Sequence, residues 1–202
     1  MNPAAPPAKA APPSGRQAGH RVWRFGADID TDVLAPGAYM KLGIEGIAPH
    51  CLESVRPEFA GSVQRGDVIV AGPNFGIGSS REQAAAALVH LGLAAVIAPS
   101  YNGLYFRNAF NVGLLLLTCP QADLLQENER IMLEPQESSI ISALSGRLAC
   151  EPVPDFLMAM VQAGGLFNQL KQRLATQAAK VTDTPLHTHI GGYAIELCCS
   201  KD

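Results

Sequence analysis

No stretch of this 202-residue chain holds the roughly 20 consecutive apolar residues needed to span a bilayer. Its N-terminus also lacks the hydrophobic segment of a secretory signal, so a soluble, cytoplasmic chain is expected. Neither sign of charge is in excess: 15 Lys and Arg stand against 18 Asp and Glu, a net charge of −3. That leaves no basic field for a phosphate backbone and argues against a nucleic-acid partner. The 5 cysteines, Cys51, Cys119, Cys150, Cys198 and Cys199, are odd in number and include no C-x-x-C pair. Neither a zinc site nor a thioredoxin-like site is indicated, and reduced, mostly buried thiols are expected.

What is present is enough apolar material, 48% against 16% charged, for one sizeable core but not for two full domains. Residues 1–19 are dominated by Ala, Pro and Gly without apolar periodicity and read as a disordered tail; a transit peptide is the minor alternative. Residues 20–174 read as the folded domain and 175–202 as a C-terminal tail. Arg21 to Phe25 alternates as a strand should. Asp67 to Ala71 and Ala94 to Ala98 are apolar strands separated by an alanine-rich helix from about Ser80 to Leu91. Such a unit makes a parallel βαβ crossover, so the fold class is α/β. Leu114 to Thr118, Ile131 to Leu133 and Ile140 to Ile141 are further strands. Ile44 to Val55 has helical spacing despite Pro49. Pro152 to Ala163 and Leu166 to Leu174 read as closing helices, split by Gly164 and Gly165, with apolar faces for the core.

The richest stretch joins the first βαβ strand to its helix: Gly72-Pro73-Asn74-Phe75-Gly76-Ile77-Gly78-Ser79-Ser80-Arg81-Glu82-Gln83. Its glycines allow positive φ and bring a ligand close to the main chain. Ser79 is a good helix N-cap, with the unpaired amides and positive dipole end of the helix behind it. Arg81 adds a cation whose fork fits a carboxylate or phosphate. The loop lacks the Lys-Ser/Thr ending of a Walker loop and the spacing of a dinucleotide fingerprint. It would lie at a strand's carboxyl end, where open α/β sheets bind ligands.

Asp28, Asp30 and Asp32 could suggest a divalent metal, but the glycine and distal glutamate of an EF-hand are missing; an Asx-rich turn bonding its own backbone is the plain alternative. His50 reads as a surface or capping histidine. Ser100 to Gly113 reads as an irregular helix closing at Gly113, in which Arg107 and Asn108 tie the segment to neighbouring carbonyls. His187 and His189 lack a third metal ligand.

The string Asn74-Phe75-Gly76-Ile77-Gly78-Ser79-Ser80-Arg81-Glu82 resembles the signature of the aconitase superfamily's swivelling domain. As a free-standing chain it is similar to the small subunits of the 3-isopropylmalate dehydratase type. Asp30-Thr31-Asp32-Val33-Leu34-Ala35-Pro36 and Phe106-Arg107-Asn108 through Gly113 match looser family patterns. The resemblance implies a swivelling β/β/α domain of the aconitase C-terminal type and a lyase of amino-acid, specifically leucine, biosynthesis. This hydro-lyase would move water across a double bond in a 2- or 3-hydroxy di- or tricarboxylic acid. It implies Ser79 as base, Ser80 as accessory donor, Arg81 as clamp on a substrate carboxylate, and Thr31 and Asp32 at the site, with Asp32 pairing a histidine of the partner subunit. Gly76 and Gly78 shape the loop backbone.

Relatives use the loop Tyr39-Met40-Lys41-Leu42 against the variable substituent of the substrate. Lys41 is therefore expected to read an extra carboxylate, with a solvated surface lysine as the alternative. No three-cysteine arrangement here could ligate an iron–sulfur cluster, so a [4Fe-4S] cluster is expected in a large partner subunit, making a heterodimer that is inactive without it. Ile77, Gln83 and Ala35 depart from common family residues and leave the substrate open among isopropylmalate-, homoaconitate-, citramalate- and dimethylmalate-type acids. A non-catalytic anion-binding or regulatory module is the rival reading.

Overall fold

A computed structural model describes residues 19–182. The first half of the chain gives β1 (His20–Arg24), α1 (Thr31–Leu34), a 3-10 turn (Gly37–Leu42), α2 (Gly43–Ile47), a second 3-10 turn (Ala48–His50), α3 (Phe59–Ser62), β2 (Val68–Val70) and α4 (Glu82–His90). The second half gives β3 (Ala95–Ala98), α5 (Gly103–Asn111), β4 (Leu115–Thr118), β5 (Arg130–Glu134), β6 (Ser139–Ser142), β7 (Gly146–Ala149), α6 (Asp155–Gln162) and α7 (Leu166–Thr182). The compact unit carrying the sheet ends at Gln169, and Leu170 begins a second unit. The Ala/Pro-rich residues up to 18, the His187 and His189 pair, and Cys198-Cys199 lie outside the described residues.

The strands form one seven-stranded sheet in the order β4-β3-β2-β1-β5-β6-β7. β1 to β4 run parallel, and β2 joins β3 through α4, the crossover the sequence leads one to expect. All residues of β2 and β3 are buried, as befits parallel strands covered on both faces. β5 to β7 are antiparallel. The Glu151 amide, just past β7, donates to the Thr118 carbonyl at the end of β4 at 2.8 Å, so the sheet curls until its two outer strands meet at a seam. β7 is absent from the sequence reading because Gly146-Arg147-Leu148-Ala149 has a single buried apolar side chain, Leu148. Partner strands, not its own pattern, hold it.

The amino end of the parallel strands is fixed by Asp67, whose carboxylate accepts from Arg21 Nε at 3.0 Å, Trp23 Nε1 at 2.8 Å and the Gln64 amide at 2.9 Å. The Arg21 and Arg56 guanidinium groups each lie 4.7 Å from the centre of the Trp23 ring, a doubled cation–π contact. Burial would raise the Asp67 pKa, but the hydrogen bonds from Arg21, Gln64 and Trp23 outweigh it and hold the carboxyl below its ordinary range.

Three local expectations change. The helix expected over Ile44 to Val55 stops at Ile47 and passes through the 3-10 turn at Ala48–His50, because Pro49 has no N–H to continue it; Leu52 then takes φ 64°. α4 begins at Glu82 with Arg81 as its N-cap and no side-chain cap bond, so Ser79 is not the cap. The closing helices are less buried than their spacing suggests: α6 buries only Met160, while Phe156 and Phe167 are 65% and 68% exposed. Gly164 and Gly165 do take positive φ, 73° and 107°, and separate the two helices.

Candidate active site

Three loops at the carboxyl ends of β1, β2 and β3 are stitched together by main-chain bonds, and this stitching makes the site. Gly76 N–H donates to Ile29 O at 2.7 Å and Thr31 N–H to Ile77 O at 2.8 Å. On the other flank, Phe75 N–H donates to Ser100 O at 3.1 Å and Asn102 N–H to Phe75 O at 2.9 Å. The glycine loop thereby continues the parallel sheet by single bridges, Asp30 to Ile77 and Phe75 to Tyr101.

The loop's geometry leaves no room for side chains at its glycines. A Cβ on Gly76 (φ 78°) would collide with the Tyr105 ring, and one on Gly78 (φ 98°) would meet the Asp30 carboxylate at 2.6 Å. Asn74, at φ 61°, is held by its own Nδ2 donating to Asp28 Oδ1 at 3.0 Å and its amide donating to Ser100 Oγ at 2.9 Å. Asp30 accepts from the Asp32 amide at 2.7 Å and caps α1. The acidic stretch is thus the Asx turn of the simpler reading, and among the described residues no group of three metal-ligating side chains occurs.

α1 turns Thr31 inward, where it is 1% exposed. Its Oγ1 accepts from the Ser79 amide at 3.0 Å and lies 3.4 Å from Ser79 Oγ. Ser79 and Ser80 are themselves exposed, so the Ser79 hydroxyl stands on an open face with a neighbouring hydroxyl beside it. The Ser79 carbonyl accepts from Arg81 N–H at 2.8 Å, a tight bend that delays the helix to Glu82. Among the described residues the amides of Gly78, Ser80, Glu82 and Gln83 have no hydrogen-bond partner, and those of Glu82 and Gln83 open α4 at its positive end. The amides of Gly76 and Ser79, by contrast, are consumed in building the loop.

Arg81 and Asp32 meet as an ion pair, and Arg81 Nη1 also donates to Ala35 O at 3.0 Å. The Asp32 side chain remains 64% exposed, and only its Oδ1 is engaged by Arg81. Asn108 Nδ2 donates to Ser80 Oγ at 3.5 Å, so it reaches the loop through a hydroxyl and not a carbonyl. Arg107 is exposed and makes no hydrogen bond or ion pair among the described residues, which corrects its expected tying role: α5 points it outward, opposite the buried Tyr105 and Ala109. Lys41 sits exposed in the last turn of the 3-10 segment, without a hydrogen bond or ion pair among the described residues. The same segment is braced by Tyr39, stacked on His50 at 3.5 Å; His50 Nδ1 pairs with Glu53 at 2.6 Å.

A model of the aconitase C-terminal domain matches residues 58–122. A 3-isopropylmalate dehydratase small subunit 1 from Archaeoglobus fulgidus is 44% identical over 148 residues, covering 72% of this chain and 92% of that protein. The chain belongs to the aconitase C-terminal domain family. The methanogen homoaconitase small subunit of Methanothermobacter thermautotrophicus is 39% identical over 159 residues, covering 77% of this chain and 92% of that protein. A crystal structure of a 3-isopropylmalate dehydratase from Methanocaldococcus jannaschii superposes with a TM-score of 0.75 at 37% identity, covering 80% of this chain and 97% of that one. The α/β fold with a parallel βαβ core implied by the sequence is therefore the family's fold.

In this aconitase-family chain, sequence reasoning located the loop, Thr31, Asp32 and Arg81, and the fold brings them together. The Asx-turn alternative already covered Asp30, which caps α1. Sequence reasoning missed the Ala35 carbonyl as an acceptor for Arg81 and the Tyr105 ring against Gly76; neither had a signal, since one acts through its carbonyl and the other through a contact made in space.

Proposed function

We propose that the chain is the small subunit of a heteromeric hydro-lyase of the 3-isopropylmalate dehydratase type, acting in the cytoplasm with a large iron–sulfur subunit. The observation that carries this reading is the exposed Ser79 hydroxyl, 3.4 Å from Thr31 Oγ1, at the head of α4 next to Arg81. A serine removes a proton from carbon only as an alkoxide, and an alkoxide near neutral pH needs preorganised donors around it. The Thr31 hydroxyl, the unpartnered amides of Ser80, Glu82 and Gln83, and the dipole end of α4 are such donors. In the proposed reaction, Ser79 Oγ takes the proton from the carbon next to a substrate carboxylate and returns it on rehydration. Arg81 holds that carboxylate, Ser80 donates to it, and Asp32 orients the guanidinium while its second oxygen meets an imidazole of the partner subunit.

A [4Fe-4S] cluster in the large subunit would supply the Lewis acid that assists departure of the hydroxyl. The site lies on an open face, so a partner surface completes it and shuts out water. The substrate is a hydroxy di- or tricarboxylate, 3-isopropylmalate first; relatives carrying the homoaconitase name keep a homoaconitate-type acid as the alternative, with Lys41 as the side chain that would read its extra carboxylate.

The test is reconstitution. The purified chain should show no dehydratase activity until a cluster-bearing large subunit is added, and Ser79→Ala should then lower kcat by at least about 10³-fold, the scale of losing an essential base and its oxyanion, while still binding the large subunit. Activity of this chain alone, or full activity of Ser79→Ala, overturns the proposal.

A further inference from the structure

The seam where the curled sheet closes carries two cysteines that the catalytic loop does not use. Cys119 follows β4 and its amide donates to Ala98 O at 3.0 Å; Cys150 follows β7 and its amide donates to Ser138 O at 2.7 Å. Between them the Glu151 amide binds the Thr118 carbonyl at 2.8 Å, so each cysteine is the chain neighbour of one member of that bonded pair. Both are free thiols, 0% and 9% exposed respectively, and each perturbs the ionisation of the other. A disulfide requires Cα atoms roughly 4.4–6.8 Å apart, the spacing of neighbours on adjacent hydrogen-bonded strands.

We propose that Cys119 and Cys150 form a two-electron thiol–disulfide site at this seam, oxidised by a small peroxide that enters at Cys150. The chemistry favours the pair over a lone thiol. The neighbouring Cys150 lowers the Cys119 thiol below its ordinary value, while Cys119 and burial push the Cys150 thiol up, so Cys119 is the sulfur that ionises first. The thiolate attacks one oxygen of hydrogen peroxide, forming a sulfenic acid and expelling hydroxide, which leaves as water with the remaining thiol proton. The second sulfur attacks the sulfenic sulfur, the S–S bond forms, and the hydroxyl leaves as a second water with the proton that the first thiol gave up on ionising. Two thiols lose two electrons and two protons, and one peroxide becomes two waters.

Cys51 is the built-in contrast. It is 0% exposed, and burial pushes its thiol far up, so it stays protonated and inert. The new bond closes a loop holding β5, β6 and β7, and restricts the unfolded chain.

The experiment treats the full-length folded chain with hydrogen peroxide, then denatures, alkylates and maps the peptides by mass spectrometry. The expected result is a cross-linked Cys119–Cys150 peptide pair that dithiothreitol reverses, with Cys51 recovered alkylated. The oxidised protein should also melt higher by about 5 °C or more. Cys119→Ala should abolish the cross-link and leave Cys150 recovered alkylated, because the sulfur that ionises first is gone. Recovery of both thiols alkylated, their separate over-oxidation in the unmutated chain, or a cross-link from Cys150 to Cys198 or Cys199 overturns the proposal. None of these readouts involves dehydratase activity, so the catalytic reading stands or falls separately.

Discussion

Replacing Thr31 by valine removes one hydroxyl and almost no volume. That hydroxyl accepts the Ser79 amide at 3.0 Å and is the near neighbour of Ser79 Oγ at 3.4 Å, while the side chain is buried at 1% exposure. The variant leaves the Ser79 N–H unpaired, but Ser79 faces solvent and water can replace part of the bond, so the cost falls in the lower part of the range for a lost partner, about 1–2 kcal/mol. In urea, with a slope of roughly 2 kcal/mol per molar for a domain of this size, the unfolding midpoint should fall by about 0.5–1 M. In the reconstituted enzyme the proposed alkoxide loses one of its donors, and kcat should fall by about 10²-fold with little change in KM, the signature of an interaction made mainly in the transition state. Thr31→Ser should behave in the opposite way, keeping the hydroxyl and the activity while losing a buried methyl worth about 1 kcal/mol of stability. If Thr31→Val keeps both its midpoint and its kcat, the hydroxyl neither holds the loop nor assists Ser79, and the account of the site fails.

Asp67 should govern acid stability. Its pKa is depressed in the folded state, so its contribution is complete above the unfolded value of about 3.9 and is lost as pH falls through the folded value. Asp67→Asn should cost about 3 kcal/mol at neutral pH by leaving Arg21 without its partner and should flatten the loss of stability below about pH 4; an unchanged acid limb in denaturant titrations would refute this. Tyr105 carries a buried hydroxyl with no hydrogen-bond partner, while its ring packs edge-on against Phe75 at 5.3 Å beneath Gly76. Tyr105→Phe keeps the ring and removes an unpaired polar group, so the melting temperature should rise, by about 1 kcal/mol of stability. A fall of that size would show that the hydroxyl has a partner, most simply a buried water.

Local sequence fixed the elements wherever local patterns carry the information. The apolar runs around Val68–Val70 and Ala95–Ala98 read as strands and the alanine-rich segment between them as their crossover helix, whereas Asn102, which opens α5 with its side chain accepting from the Leu104 amide at 3.0 Å, lay unmarked within the irregular helix expected over Ser100 to Gly113. The glycines at 76 and 78 announced a backbone that side chains would obstruct, and the string through Arg81 carried the family resemblance. Thr31, however, meets Ser79 across 48 positions of chain, and Arg81 meets the Ala35 carbonyl across 46. No periodicity encodes such pairings, because they arise only when parallel strands bring three loops together at their carboxyl ends. Tertiary structure alone decided that the Ser79 amide binds Thr31 instead of capping a helix with its hydroxyl, that Arg81 faces Asp32, that Arg107 turns outward, and that Cys119 and Cys150 share a seam. The sequence determined which residues could do chemistry; the stitching of loops distant in the chain determined which of them face one another.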